Sequence, residues 1–303
     1  MRIKASSISR SVAERLEQRL PAARVWAVFE RSFHLVASDS QVTAVVLPEI
    51  GDGPINIVLD AHPSDLTTLE PGMPAALEDG RLRVGELEVC VETAVVWEPS
   101  PDWQRLRARS GSCSGRLSLI QTLCERLAPA GTLLMLTDPW PAWGPELAQA
   151  DAPLGASLVF KEAHEAAAAL RHGWEGDVAL LQSGAAQLAG LGGGLTPAGD
   201  DFLCGSMLWA WLAHPSPHRV CGLLLETAAP RTTILSAAFL QAAARGECSP
   251  AWQALLAALS EGTTEELAVA VQDVMTLGAT SGADGLAGFL WAGLCGTPSG
   301  STP

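Results

Sequence analysis

The chain has 303 residues, 48% of them hydrophobic and 17% charged, with a formal net charge of −14. That length supports two domains with a sizeable core, and the composition argues against disorder. An acidic surface repels phosphate backbones, so nucleic acid and anionic membrane are poor partners.

The opening "MRIKASSISRSVAERLEQRL" has no continuous apolar core and is not a secretory signal; Ser9 to Leu20 reads as a helix. Short β-prone runs follow: "ARVWAVFE", "SFHLVAS", "QVTAVVLPE", "PINIVLD" and "EDGRLRV" with its Asp79-Gly80 turn. In "GELEVCVETAVVWEP", Leu87, Val89 and Val91 share one face. Closely spaced short strands predict a small barrel or sandwich over residues 1–100. Two prolines in "EPSPDW" punctuate the chain. After them Ala, Leu and Gly recur at helical spacing, which predicts an all-α domain over 101–303. Its expected helices span 103–128, 160–172, 177–190, 200–213, 218–228, 232–245, 251–260, 263–277 and 281–294. "TDPWPAWGPEL" reads as a Pro/Trp-rich loop and "GTPSGSTP" as a tail. The fold class is therefore α+β, a β domain followed by a helical one.

No uninterrupted apolar stretch suggests a membrane span. Seven cysteines include no CxxC pair, which points to buried thiols of a cytoplasmic protein rather than a zinc site or disulfide framework. His214 and His218 are separated by Pro215 and Pro217, which break the helix that a histidine metal pair would need.

Chemistry concentrates at three predicted helix starts. The first is "GLGGGLTPAGDDFLCG", Gly190 to Gly205. Its glycines permit positive φ and clear space for a ligand. The plain reading is one helix ended by Gly, a turn at Pro197, and a next helix capped by Asp200 or Asp201. The functional reading begins from a conflict: N–H groups at a helix start attract anions, whereas two aspartates repel them. A divalent cation such as Mg²⁺ on Asp200 and Asp201 would resolve it. So would protonation of a carboxyl, or a ligand whose amide NH₂ meets the aspartates while its anionic end meets the backbone. No Gly-Lys-Ser/Thr follows, so this is not a Walker A loop, and flanking helices exclude a Rossmann turn. The helix that follows is apolar on every face and belongs at the centre of its domain.

The second stretch, "APRTTILSAAFLQAAARGE", places Arg231, Thr232 and Thr233 at a helix start, with Ser236 one turn on. The third, "LGATSGADGLAG", brings Thr280, Ser281 and Asp284 before an apolar helix. Each has a plain reading as a capped helix; for the third it is a capping-box-like start. No Ser-His-Asp or Cys-His set accompanies them.

At these residues the sequence resembles the AllH-like family, associated with oxamate carbamoyltransferase of allantoin catabolism. The three stretches match in kind and order, the first being the most specific. In that family the third more often carries a His after its first Gly, where Ala279 stands here. The resemblance implies one subunit of a multi-subunit enzyme that interconverts oxalurate plus phosphate with oxamate plus carbamoyl phosphate. The expected ligand is a small anionic metabolite bearing an amide. On this expectation Gly192, Gly193, Gly194, Leu195 and Thr196 cradle an oxyanion, and Asp200 and Asp201 orient an amide or hold Mg²⁺. Arg231, Thr232 and Thr233, with Ser236 behind them, bind carboxylate or phosphate, and Thr280, Ser281 and Asp284 close the pocket. Asp200, Asp201 and Asp284 are the catalytic candidates. Two other readings stand beside this one: a non-catalytic, metabolite-binding partner subunit, and a Mg²⁺-dependent all-α hydrolase of the ADP-ribosylglycohydrolase kind.

Overall fold

Alternation through Leu87–Cys90 demands a two-sided strand, and Leu87 and Val89 are buried while Glu88 and Cys90 are half-buried. The structure is a computed structural model, described here for residues 1–17, 22–78, 80–127, 129, 131–137 and 154–295. It divides into two compact units: Met1–Pro101 with Glu247–Pro250, and Asp102–Gly246 with Ala251–Pro303.

The first unit is a barrel. Its strands are β1 (Arg2–Ser9), β2 (Ala23–Val28), β3 (Ser32–Ala37), β4 (Val42–Val46), β5 (Asn56–Leu59), β6 (Pro74–Glu78), β7 (Arg81–Val84), β8 (Leu87–Cys90) and β9 (Val95–Trp97). The order β5-β4-β3-β2-β6-β7-β8-β1 closes through β1 and β5, giving eight strands around the barrel with β9 added to β1. Of the two architectures expected, the barrel forms; closure leaves its eight strands no free edge.

β1 does the closing. Arg2–Lys4 run parallel to Glu88–Cys90, Ser7–Ser9 run parallel to Val95–Trp97, and the other side pairs antiparallel with β5. A bulge between Ala5 and Ser7 lets one strand serve all three. Phe33, Leu35, Val45, Ile57, Leu82 and Val89 fill the interior, and the helix α1 (Arg10–Glu17) adds Val12 and Leu16. The cavity among Leu16, Leu35, Ile57 and Leu82 is about 10 Å³, room for one water at most.

The second unit is helical: α2 (Trp103–Ala108), α3 (Ser114–Leu127), α4 (Leu154–Trp174), α5 (Val178–Leu188), α6 (Ala198–Ala213), α7 (Pro217–Ala228), α8 (Ile234–Ala244), α9 (Pro250–Glu261), α10 (Thr264–Met275) and α11 (Ser281–Leu294). The single helix expected over 103–128 is two, separated by a 3-10 turn at Ser110–Ser112, where Ser and Gly favour local turns. The helix expected at 160–172 is longer. "TDPWPAWGPEL" after Thr137 and the tail "GTPSGSTP" lie outside the described residues. Among the described residues no helix is long and apolar enough to cross a membrane.

α6 is central, as its all-round hydrophobicity predicts: only Ala198, Asp201, Cys204 and Ala213 escape full burial. It packs on α11 almost backbone to backbone. A Cβ on Gly205 would stand 1.8 Å from the Gly285 carbonyl oxygen, and one on Gly288 would stand 1.8 Å from that of Phe202. The Ser206 hydroxyl donates to the carbonyls of Phe202 and Gly288 at 3.0 and 3.2 Å. This contact fixes the starts of α6 and α11 side by side.

Candidate functional site

The first stretch joins α5 to α6, and its backbone is unusual. Gly190, Gly192 and Gly194 have φ of 73°, 110° and 90°, while Leu191, Gly193 and Leu195 do not have positive φ. Handedness therefore alternates along six residues, the conformation in which successive N–H groups form an anion-binding concavity. Among the described residues, the N–H groups of Gly192 through Thr196 make no backbone hydrogen bond. Gly192, Gly193, Gly194 and Leu195 are exposed, and Cβ atoms at Gly193 and Gly194 would meet nothing within 4 Å.

The arc is fixed by its neighbours. Asp200, 1% exposed, accepts from the Gly190 N–H at 3.0 Å through Oδ1 and from the Thr232 hydroxyl through Oδ2. The Thr233 hydroxyl donates to the Leu195 carbonyl at 2.6 Å while accepting the Ser236 N–H as cap of α8. Thr196 and Ser281 share a hydrogen bond between hydroxyls at 2.9 Å. The three stretches thus meet at one place in the helical unit.

The plain capping readings hold only for Thr233. Pro197 is the cap residue of α6 and makes no side-chain cap bond; Asp200 ties the preceding loop instead. Thr280 occupies the cap position of α11, without a side-chain cap bond, and Ser281 reaches across to Thr196. Asp284, 1% exposed, accepts the Leu133 N–H at 2.7 Å from a 3-10 turn, Leu133–Thr137. Sequence reasoning missed that turn, because a donated backbone N–H has no residue signature.

Arg231 is exposed, and its Nη1 donates to the Thr227 carbonyl at 2.5 Å. Its own carbonyl would stand 2.8 Å from a Cβ on Gly190. Ser236 is 2% exposed; its hydroxyl lies close enough to Asp200 to stabilise the carboxylate but has no partner in hydrogen-bond geometry.

The acids differ sharply. Burial pushes the pKa of Asp200 up, with the Thr232 hydroxyl and Gly190 N–H pulling it back. Burial likewise raises Asp284, against the Leu133 N–H and the Thr280 hydroxyl. Asp201 is pushed furthest, up to about 8, by burial first and by the charges of Asp284 and Asp200; the nearby Ser281 and Thr196 hydroxyls oppose the rise. Its Oδ2 is buried with no hydrogen-bond partner. Among the described residues, no group of three His, Cys, Asp or Glu side chains is disposed to hold a metal ion.

A stability consequence follows for Asp201. Its folded pKa lies above its ordinary 3.8, so the native state holds a proton that the unfolded chain has lost. Stability from this group is complete below about pH 4 and declines as pH rises to about 8. Asp201→Asn cannot ionise, so its melting temperature relative to the parent should rise between pH 5 and about 8 and level off above that. Parallel melting curves for the two across that range would contradict the buried, protonated carboxyl.

Comparison with known proteins covers both units. A family model described as oxamate carbamoyltransferase subunit AllH matches residues 188–293, the span that carries all three stretches. A second, the AllH family N-terminal domain, matches residues 4–96. No solved structure matches the chain.

Proposed function

The chain belongs to the AllH family, that of an oxamate carbamoyltransferase subunit, and from that premise we propose that the glycine arc is the anion site of a carbamoyl-transfer centre. The observation that carries the reading is the alternating backbone of Gly190–Leu195, whose amides from Gly192 on make no backbone hydrogen bond and whose residues Gly192–Leu195 are exposed. The arc suits the phosphate of carbamoyl phosphate or the carboxylate of oxamate, and the adjoining Thr196 and Ser281 hydroxyls suit the amide end. The reaction on this reading is oxalurate plus phosphate to oxamate plus carbamoyl phosphate, or its reverse, within allantoin breakdown in the cytoplasm. Carbamoyl transfer depends on positioning and on stabilising developing negative charge, which fixed amides supply without reorganising. Asp200 is the brace of the arc, holding Gly190 and Thr232, and Asp284 is the brace of α11. The other subunits of the enzyme complete the centre.

Gly193→Val provides the test. Gly193 lacks positive φ and has nothing near its Cβ position, so a bulky side chain can be added in the middle of the arc without straining the backbone, where it should crowd a bound anion. Carbamoyl phosphate, phosphate and oxamate should each raise the melting temperature of the parent chain, because a ligand bound only to the folded state stabilises it by about 2.7 kcal/mol at a hundredfold excess over Kd. Gly193→Val should keep its unliganded melting temperature and lose these shifts. Equal shifts in both proteins would refute the arc as the anion site.

A further inference from the structure

We propose that Asp201 is a proton store that reaches the ligand through a relay of Ser281 and Thr196. The inference rests on the proposed anion site and assigns the proton path at that site. Of the three acids, Asp200 and Asp284 each accept a backbone N–H, from Gly190 and Leu133. Asp201 alone keeps a buried oxygen without a hydrogen-bond partner. Beside the Asp201 carboxyl are two hydroxyls that lie 2.9 Å from each other, Ser281 at the start of α11 and Thr196 at the end of the arc, both half-buried. Both hydroxyls act on the Asp201 carboxyl. A hydroxyl can accept one proton while donating another, so a pair in contact can pass a proton between a buried acid and a ligand.

The titratable groups facing Asp201 are Asp200 and Cys204 from α6 and Asp284 from α11. None of them is a cation, so only the Ser281 and Thr196 hydroxyls favour the ionised carboxylate, and burial with the neighbouring acids outweighs them. Burial keeps Cys204 in the thiol form. With a pKa pushed up to about 8, Asp201 carries its proton at neutral pH.

The transfer needs such a proton. A phosphate oxygen bonds to the carbamoyl carbon of oxalurate, and the bond from that carbon to the oxamate nitrogen breaks. The departing nitrogen takes a proton from Thr196, Thr196 takes one from Ser281, and Ser281 takes one from Asp201. Hydrogen phosphate sheds its own proton on becoming carbamoyl phosphate, and that proton returns to Asp201 by the same path. In this scheme Thr196 touches the reacting nitrogen, and Asp201 and Ser281 act through it.

The test uses the complete enzyme, assembled with its other subunits and assayed for oxalurate phosphorolysis from pH 6 to 9.5. The parent kcat should fall above about pH 8 as Asp201 ionises. Asp201→Asn should lower kcat by about 100-fold or more, the range for loss of proton-transfer catalysis. It should also abolish the alkaline fall and leave the phosphate-induced melting shift of the isolated chain intact. Ser281→Ala, which breaks the relay without touching the acid, should lower kcat in the same way. An Asp201→Asn enzyme with parental kcat and an unchanged alkaline limb would overturn the relay, and so would a Ser281→Ala enzyme with parental kcat. Failure of the anion site itself is distinguishable, because it appears as a parent melting temperature indifferent to phosphate or as shifts that Gly193→Val leaves in place.

Discussion

Gly288→Ala is expected to destabilise the helical unit by about 3 kcal/mol or more, at or above the upper end of ordinary overpacking costs. The new Cβ would lie 1.8, 2.6 and 2.9 Å from the O, C and Cα atoms of Phe202. All three atoms are backbone, so no rotamer change relieves the clash and α6 and α11 must separate. Gly205→Ala meets the mirror situation, 1.8 Å from the Gly285 carbonyl oxygen. The cost is large against a typical total stability of 5–15 kcal/mol. Gly222→Ala serves as the control: Gly222 lies within α7 with nothing within 4 Å of its Cβ position, so the change should stabilise by roughly 0.5–1 kcal/mol through helix propensity. Urea unfolding midpoints decide the matter. A Gly288→Ala midpoint equal to the parent's would mean that the two helices do not approach as described.

Asp200→Ala should cost about 2–6 kcal/mol and abolish anion-induced stabilisation as well. The carboxyl accepts the Gly190 N–H and the Thr232 hydroxyl in a place that is 1% exposed. Its removal strands two donors, each at about 1–3 kcal/mol. It also releases the first residue of the arc, so the unpaired amides lose their common geometry. Asp200→Asn keeps an acceptor oxygen and should retain most of the stability. Urea midpoints, together with phosphate-dependent melting, separate these outcomes. An Asp200→Ala chain that is parental in both would remove Asp200 as the brace.

Part of this organisation is legible in the sequence. Alternation and turn dipeptides reveal the barrel from β2 onward, and helical spacing reveals the second unit. β1 does not announce itself: "RIKASSIS" carries three serines, and its bulge breaks the two-residue period that exposes a strand. β6 is similarly quiet, beginning with Pro74 and continuing with alanines, which are weak strand formers. The three stretches of the site read clearly because Gly, hydroxyl and acid residues gather at helix starts. Their division of labour does not read, because neighbouring Asp200 and Asp201 look equivalent in one dimension. Consecutive positions on a helix point in different directions, so one acid meets Gly190 and Thr232 while the other comes under the influence of Ser281 and Asp284. The prominence of Arg231 in the sequence likewise gives no sign that its guanidinium donates to the Thr227 carbonyl.

The triple pairing of β1 bears on how the chain acquires its shape. Its partners begin at Asn56 and end at Trp97, so this strand, which precedes the other eight in the chain, waits for more than half of the barrel to be synthesised before it has anything to bind. Ring closure is then a late and non-local event in the barrel, and topologies of this kind fold slowly. Until closure, the β5 edge and the apolar lining are open to neighbouring nascent chains, which makes that interval the period of greatest exposure to aggregation.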